Sequence, residues 1–216
     1  MPTQLRAHET RAAIITAAAS LFRSRGYGGT SQENVAEAAG VTKGALYFHF
    51  KSKEHMAHAV IAAQHDAAMT LVDDVSIDGI AGLPALLEMT YRFAYLLRTD
   101  PIVQAGIRLT MESSNLSSPV VEPYRDWIKA ADAQLRIAAQ AGDVPDSTDI
   151  VAASRFIIPA FTGVQLVSEV REGRSDLYQR VEEMWMLLLP TLVRRERLND
   201  YLQLSAKLRR DLPQQS

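Results

Sequence analysis

The sequence contains no cysteine, and this absence excludes a disulfide scaffold, a thiolate metal site and a cysteine nucleophile. Long apolar runs are also scarce. The longest charge-free apolar stretch of the C-terminal part, residues 156–168, is shorter than the roughly 18 residues that a membrane-spanning helix needs. The first eleven residues include ionisable side chains and no apolar core, so no secretory signal is expected. We therefore expect a cytoplasmic protein with no membrane partner.

The net charge is close to zero, at −2 over 216 residues, which by itself gives little reason to expect a nucleic-acid partner. This average hides an asymmetry, because residues 1–55 carry seven Lys or Arg against four Asp or Glu. That part therefore has a net charge of +3, and the rest of the chain has −5. A basic N-terminal part joined to an acidic remainder is the distribution expected when one end of a protein binds nucleic acid.

Apolar residues recur at helical spacing along most of the chain, and strand patterns are close to absent. The sequence therefore predicts an all-α protein of nine or ten helices. A capping box of Thr30 and Glu33 is expected before the second helix, and a glycine-containing loop is expected at residues 75–83. The predicted helices are 10–25, 31–39, 42–49, 52–73, 84–99, 101–112, 123–141, 148–171, 175–192 and a weaker one after residue 194.

Two of the short helices are joined by a three-residue turn at 40–42, and this layout is typical of a helix-turn-helix. In that motif the second helix enters the major groove of DNA. Here it carries Lys43 at its start, and Gly44 lets its backbone approach DNA closely. The positions expected to contact DNA are Thr30, Ser31, Gln32, Thr42, Lys43, Gly44, Tyr47, His49 and Lys51.

Each of these signals also has a simpler interpretation. A glycine turn between short helices is often a plain connection, and Lys51 and Lys53 taken alone are compatible with solvated charge. The aromatic run at 47–50 is compatible with core packing, which we expect for Leu46 and Phe50. The combination of the turn with the basic N-terminal part is what favours DNA binding.

Residues 41–54 read Val-Thr-Lys-Gly-Ala-Leu-Tyr-Phe-His-Phe-Lys-Ser-Lys-Glu and resemble the recognition segment of the TetR family of repressors. The preceding stretch 21–36 is similar to the same family, so the resemblance covers residues 9–60. It implies an all-α homodimeric regulator, with an N-terminal helix-turn-helix head of three helices and a helical body. We accordingly expect a DNA-binding domain at residues 1–55 and a ligand-binding and dimerisation domain at 56–216.

A second resemblance extends into the body. The opening residues 4–11, the Phe-His-Phe form of the recognition segment, and three body segments are similar to the gamma-butyrolactone receptors of actinomycetes. The body segments are 104–109, 124–127 and 161–165. This resemblance spans most of the chain and implies a small amphipathic ligand of the lactone or furan type.

Tyr124 and Trp127 lie three residues apart on one helical face and are expected to form an aromatic wall for a flexible acyl chain. With the resemblance, Gln64 and Thr162 become the expected hydrogen-bonding partners of a lactone or hydroxyl. Pro159 is expected to kink its helix and leave room for a ligand, although a bend that only fits the core explains it equally. The other interpretation is that the aromatic residues fill the core and that Gln64 lies on the surface. The full set of expected ligand contacts is Gln64, Met89, Phe93, Thr110, Tyr124, Trp127, Phe161, Thr162 and Val164.

The long helices at 148–171 and 175–192 are expected to form a dimer interface. The second contains the run 184–189, which is apolar nearly all round and needs burial on more than one side. Two such helices from each subunit form a four-helix interface about a two-fold axis. A dimer also places two DNA-binding heads about 34–36 Å apart, as a palindromic operator requires. A monomer with a thick core is the alternative.

Together these features predict a ligand-responsive transcriptional repressor, released from a palindromic operator in double-stranded DNA by a gamma-butyrolactone-type signal and controlling secondary metabolism. The alternative is a TetR-type repressor of an efflux or resistance gene that senses an antibiotic or another amphipathic drug. An enzyme is not expected, because there is no Gly-x-Ser-x-Gly elbow and no phosphate-binding glycine loop. His55 and His58 also lack the spacing of a zinc-protease helix. We expect no metal and no cofactor.

Overall fold

The computed structural model describes residues 2–118 and 120–213, and in these residues it has ten α-helices, one short 3-10 helix (Ser113–Asn115) and no strand. The all-α prediction is confirmed. The α-helices are α1 Pro2–Arg25, α2 Gln32–Ala38, α3 Lys43–His49, α4 Lys53–Ile77, α5 Leu83–Thr99, α6 Pro101–Met111, α7 Glu122–Gln140, α8 Ile150–Glu172, α9 Leu177–Leu192 and α10 Leu198–Asp211.

Two helices extend well beyond the ranges that the sequence predicts. α1 begins at Pro2 rather than at residue 10, because proline suits the first turn of a helix and no glycine or proline follows before Arg25. α4 continues to Ile77 and shortens the predicted loop. Gly79, with a φ of +73°, is the first residue after α4 in the left-handed region that favours glycine. Val75, expected in the loop, is fully buried within α4.

The capping box of α2 is formed by Ser31 and Asn34, not by Thr30 and Glu33. The Ser31 hydroxyl accepts a hydrogen bond from the Asn34 backbone N–H at 3.1 Å, and the Asn34 side-chain oxygen accepts one from the Ser31 N–H at 3.3 Å. Thr30 is buried instead, and its hydroxyl donates to the carbonyl of Gly26 at 2.9 Å. The cap therefore lies one residue later than expected.

The chain forms two compact units, and the first comprises residues 1–68 and 99–120. α1 packs against both α2 and α6, so α6 and the turn after it belong with the N-terminal helices. The predicted boundary between a DNA-binding domain at 1–55 and a ligand-binding domain at 56–216 divides the chain by function. The compact units divide it by contacts, so that boundary stays a prediction. The larger side chains of the core of this unit are Ile14, Phe22, Val35, Leu46, Phe50, Met56, Val60 and Leu109.

The second unit comprises residues 69–98 and 121–216. In it α7 packs against α8, α8 against α9, and α9 against α10. Trp185 is fully buried, and its indole N–H donates to the Thr90 hydroxyl at 2.8 Å. The hydroxyls of Tyr91 and Ser205 are hydrogen-bonded at 2.8 Å, and burial raises the pKa of Tyr91 to about 12. Trp185 is therefore a core residue of this unit.

α8 corrects one expectation from the sequence. By length and composition alone, α8 is apolar enough to cross a membrane, and only 22% of its most apolar window is buried. The charge-free run at 156–168 is shorter than α8, because charged residues flank it within the same helix. An exposed apolar surface on this helix therefore requires an explanation.

Candidate functional site

The turn between α2 and α3 has the geometry of a helix-turn-helix. Gly40 adopts a φ of +64°, in the left-handed region that favours glycine, and reverses the chain after α2. Val35 and Leu46, one from each helix, are buried in the core of the first unit. The Thr42 hydroxyl caps α3 by accepting a hydrogen bond from the Ala45 backbone N–H at 3.2 Å. The predicted helix-turn-helix is thus stabilised by the turn at Gly40, the cap at Thr42 and the apolar packing of Val35 and Leu46.

One face of α3 is open to solvent, and Lys51, two residues after the helix ends, is exposed as well. Leu46 and Phe50 are 1% and 0% exposed, which confirms that these two residues belong to the core. Lys51 donates from its ammonium to the backbone carbonyl of Tyr47 at 3.1 Å, and His49 is half-buried. The exposed positions among those predicted to contact DNA are Thr42, Lys43, Gly44, Tyr47 and Lys51.

Lys43 has an acidic neighbour on α2. Its ammonium nitrogen lies 3.6 Å from Glu33 Oε1, and both side chains are more than half exposed. A backbone hydrogen bond and the charge of Lys43 lower the pKa of Glu33 below its ordinary value. Exposed ion pairs of this kind hold a side chain only weakly, so a stronger polyanion can displace the carboxylate.

Several side chains near the exposed face of α3 are buried or already hydrogen-bonded within the protein. Thr30 is 2% exposed, which leaves its side chain no surface for a phosphate, contrary to expectation. Ser31 is half-buried and caps α2, and the Gln32 amide nitrogen is buried without a hydrogen-bond partner. Lys53 donates to the Tyr27 carbonyl at 3.0 Å and lies 4.3 Å from the centre of its ring. Lys53 is therefore held against Tyr27 rather than being a freely solvated charge.

Polar contacts from α6 and the residue after its end hold the C-terminal end of α1. Arg108 donates from Nη1 to the Arg23 carbonyl at 2.7 Å and from Nε to Glu112 Oε1 at 2.8 Å. The other carboxylate oxygen of Glu112 accepts the Tyr27 backbone N–H at 2.9 Å. Sequence reasoning missed these residues because their partners are 85 positions away.

Gln64 on α4 is fully buried, and neither its amide oxygen nor its amide nitrogen has a hydrogen-bond partner. The interpretation that places it on the surface is wrong. Gly106 on α6 allows this placement, since a Cβ there would lie only 2.3 Å from the Cβ of Gln64. Thr110 is also buried, and its hydroxyl donates to the Gly106 carbonyl at 2.8 Å. An unsatisfied buried amide costs about 1–3 kcal/mol, which makes Gln64 a candidate for binding a group from outside the chain.

Gly106→Ala is expected to destabilise the protein by about 1–3 kcal/mol, because the new methyl group overlaps the stem of Gln64. Denaturant unfolding measures this loss. Gly44→Ala is the matched control in another helix of the same unit, where a Cβ would meet only the Thr42 hydroxyl at 3.9 Å. The control should gain about 0.5–1 kcal/mol from helix propensity. Equal stability of the two variants would contradict the close packing at Gly106.

Four aromatic rings and a threonine meet in the second unit. The ring of Phe93 on α5 lies 5.8 Å from that of Trp127 on α7 and 6.0 Å from that of Phe161 on α8. Tyr124 packs edge-on against Trp127 at 5.2 Å, and its hydroxyl is hydrogen-bonded to the Thr162 side chain. Burial raises the pKa of Tyr124. We call these five residues the aromatic cluster.

The remaining predicted ligand contacts fall in different places. Met89 and Val164 are half-buried on α5 and α8 of the second unit. Gln64 and Thr110 belong to the first unit. Pro159 lies inside α8, which continues through it, and the expected kink stays a prediction. The structure therefore brings five of the nine predicted ligand contacts together in the aromatic cluster.

α8 and α9 carry large apolar side chains that the chain itself leaves exposed. The run at 184–189 is divided, since Trp185 and Leu189 are in the core whereas Leu187 is 78% exposed. Several large apolar side chains left exposed on neighbouring helices indicate an interaction surface. We call the exposed members the α8–α9 patch: Val151, Phe156, Leu166, Val167, Val170, Met186 and Leu187.

Comparisons with known proteins match both parts of the chain. Residues 14–60 fit the family model for bacterial regulatory proteins of the tetR family, and residues 80–194 fit that for the tetracyclin repressor-like C-terminal domain. The A-factor receptor protein of Streptomyces griseus is 38% identical over 192 residues, which cover 89% of this chain and 67% of the relative.

Solved structures are similar along nearly the whole length. A gamma-butyrolactone receptor described as an ArpA-like protein is 33% identical, with a TM-score of 0.80, covering 96% of this chain and 100% of that one. CprB of Streptomyces coelicolor, solved in complex with its biological operator sequence, is 34% identical with a TM-score of 0.83 and the same coverage. The likeness therefore includes the C-terminal helices as well as the helix-turn-helix.

Proposed function

The chain belongs to the TetR family of bacterial regulatory proteins, and from this premise we propose that it is a repressor released from its operator by a gamma-butyrolactone-type signal. One observation carries the proposal: the likeness to a gamma-butyrolactone receptor extends over 96% of the chain, so it includes the parts that differ between regulators with different ligands. We further propose that the genes it controls serve secondary metabolism, and that it acts in the cytoplasm.

Binding to double-stranded DNA through the exposed face of α3 follows from the charges and side chains there. Lys43 and Lys51 supply cations for phosphates, and Tyr47 supplies a hydroxyl. Gly44 allows the backbone to approach a base edge. Two copies of α3 in successive major grooves, about 34–36 Å apart, require a palindromic operator. Occupying such a site blocks transcription from an overlapping promoter.

Glu33→Gln is expected to raise operator affinity about two- to fivefold at low salt, because it removes a negative charge beside Lys43. Fluorescence anisotropy with labelled operator measures the gain. The same substitution in a Lys43→Ala background should have a smaller effect, since the lysine that it frees is gone. An equal gain in operator affinity with and without Lys43 would contradict this mechanism. Glu33 would then act only by repelling the DNA phosphates, not by pairing with Lys43.

The aromatic cluster is the proposed binding surface for the apolar part of the ligand. Its rings come from three helices and include the half-buried Trp127, and such surfaces suit a flexible acyl chain. The hydrogen-bonded hydroxyls of Tyr124 and Thr162 supply polar groups at its edge. Met89 and Val164 are proposed as further apolar contacts.

Gln64 is a separate proposal, as the hydrogen-bonding partner of a lactone carbonyl or hydroxyl. Its support is the buried and unsatisfied amide, which can both donate and accept. Thr110 is a weaker candidate, because its hydroxyl already donates to the Gly106 carbonyl.

Gln64→Met is expected to stabilise the ligand-free protein by about 1–3 kcal/mol, since it replaces an unsatisfied buried amide with an apolar side chain of similar length. The same change should weaken the lactone response. Gln134→Met is the matched control, because the Gln134 side-chain oxygen accepts the Gly82 backbone N–H at 2.8 Å, so the control should destabilise. Thermal unfolding measures both. Destabilisation by both changes would contradict the role assigned to Gln64.

A homodimer formed through the α8–α9 patch is the proposed assembly. The patch includes Val170 and Leu187, each 78% exposed, on two adjacent helices. Helix pairs from two subunits bury such surfaces in a four-helix interface. This assembly explains why a helix as apolar as α8 is so little buried within one chain.

Release requires that the ligand bind the DNA-free form more tightly than the DNA-bound form, because a ligand with equal affinity for both shifts nothing. The test begins with selection of duplexes from a random pool, which should yield a palindrome. Gel shifts with a panel of lactones, furans and antibiotics then identify the ligand class. Release by a gamma-butyrolactone supports the proposal. Release by antibiotics alone would favour a drug-responsive repressor of an efflux or resistance gene.

A further inference from the structure

Phe48 is an apolar side chain on the surface of α3, and 73% of it is exposed. The ring of the adjacent His49 lies edge-on to it at 5.1 Å. Leu46 and Phe50 point into the core of the first unit, so Phe48 faces away from it. The ring therefore forgoes the stabilisation that burial gives an aromatic side chain. None of the contacts proposed above uses it.

The surroundings of Phe48 indicate what covers it. Gly44 lies one helical turn earlier on the same face, and a Cβ there would meet only the Thr42 hydroxyl, at 3.9 Å. The space beside the ring is thus open on that side. Lys43 at the start of α3 and Lys51 just after its end are both exposed, and both attract a polyanion. A partner for this face must combine dense negative charge with an apolar group.

We propose that Phe48 contacts the C5-methyl group of a thymine in the major groove and so specifies a T·A pair in each operator half-site. Among the four bases, only thymine presents an apolar group at the major-groove edge. The inference depends on the proposed binding of operator DNA and adds which base one side chain reads. Phe48 supplies sequence preference, whereas Lys43 and Lys51 supply affinity that is largely independent of sequence.

The test uses the selected operator and replaces each thymine in turn by deoxyuridine, which removes only the methyl group. One thymine per half-site should show a loss of about fourfold in affinity, and replacing both symmetric copies should give about fifteenfold. The protein should bind a duplex with 5-methylcytosine at that position more tightly than one with cytosine there, because the methyl group is restored. Affinities are measured by fluorescence anisotropy at one fixed salt concentration.

Phe48→Ala links the effect to this side chain. The variant should bind the thymine operator more weakly than wild type, and it should no longer distinguish thymine from uracil at the sensitive position. Lys51→Ala is the control, since it should weaken binding to every duplex while keeping the uracil penalty. Thermal unfolding checks the fold of both variants, and the exposure of Phe48 predicts an unchanged melting temperature.

The outcomes separate this inference from the proposed function. A wild-type protein that binds the selected operator with no uracil penalty at any thymine would overturn the role of Phe48 and leave repression intact. A uracil penalty that persists in Phe48→Ala would overturn it as well. Failure of the wild type to select any duplex would overturn both.

Discussion

Trp127→Ala is expected to lower lactone affinity by about 10–100-fold while leaving operator affinity without ligand unchanged. The indole packs against Phe93 and Tyr124 in the aromatic cluster. About 60–100 Å² of apolar contact with a ligand, at about 25 cal/mol per Å², accounts for about 1.5–2.5 kcal/mol, which corresponds to this range. Trp127 lies outside the compact unit that carries α3, so direct effects on DNA contacts are not expected.

The measurement is the lactone concentration that releases half of the labelled operator. Trp127→Phe is the matched variant, because it keeps an aromatic ring and should lose less affinity. The chain has two tryptophans, so fluorescence of the Trp127→Phe protein reports only the buried Trp185 and should no longer respond to lactone. Wild-type sensitivity of Trp127→Ala to lactone would contradict the role of the aromatic cluster.

Leu187→Glu is expected to convert the proposed dimer to monomers and to lower operator affinity by at least about 100-fold. Leu187 is 78% exposed within one chain, so the fold of the monomer should tolerate the charge. In the proposed interface the same carboxylate is buried without a partner, which costs several kcal/mol. A monomer then binds only one half-site and loses the contribution of the second head.

Light scattering coupled to size-exclusion chromatography measures the oligomeric state. Ile77→Glu is the matched control, since Ile77 is 82% exposed but lies at the end of α4, outside the α8–α9 patch. The control should stay dimeric and keep its operator affinity. Dimers of Leu187→Glu with full operator affinity would place the interface elsewhere.

The elements that the sequence predicts best are those with local signals. The helix predicted at 101–112 does begin at Pro101, and Asp100 before it accepts backbone hydrogen bonds from Ile102 and Val103 at 2.7 and 3.2 Å. The cap of α2 was misplaced by one residue, because Thr30, Ser31 and their successors offer two overlapping capping patterns. Burial of Thr30 against Gly26, a tertiary effect, decides between them.

Contacts between distant parts of the chain could not be predicted in this way. Arg108 and Glu112 look like an ordinary helix-surface ion pair, yet they bind the end of α1. Gln64 resembles a surface residue in its own helix, and only the approach of Gly106 from α6 explains its burial. Periodicity predicted which residues share a helical face, but no local pattern identifies the facing helix.

In the candidate site, too, contacts within one helix could be predicted from the sequence, whereas the exposure of single side chains could not. Tyr124 and Trp127 were predicted together because they lie three residues apart on one helix, and their rings do meet. Phe93 and Phe161 were expected as ligand contacts with core packing as the alternative, and their rings join the aromatic cluster. The exposure of Phe48 was not expected, since an aromatic run beside a core residue gives no sign of which ring faces outward.

The central claim is that lactone binding and operator binding oppose each other in one molecule. The most direct measurement is operator affinity by fluorescence anisotropy, without lactone and at a concentration that saturates the quenching of tryptophan fluorescence. Coupling energies between sites are typically about 1–3 kcal/mol, so we expect operator affinity to fall about 5–150-fold. Operator affinity that stays the same while the lactone site is saturated would contradict the account.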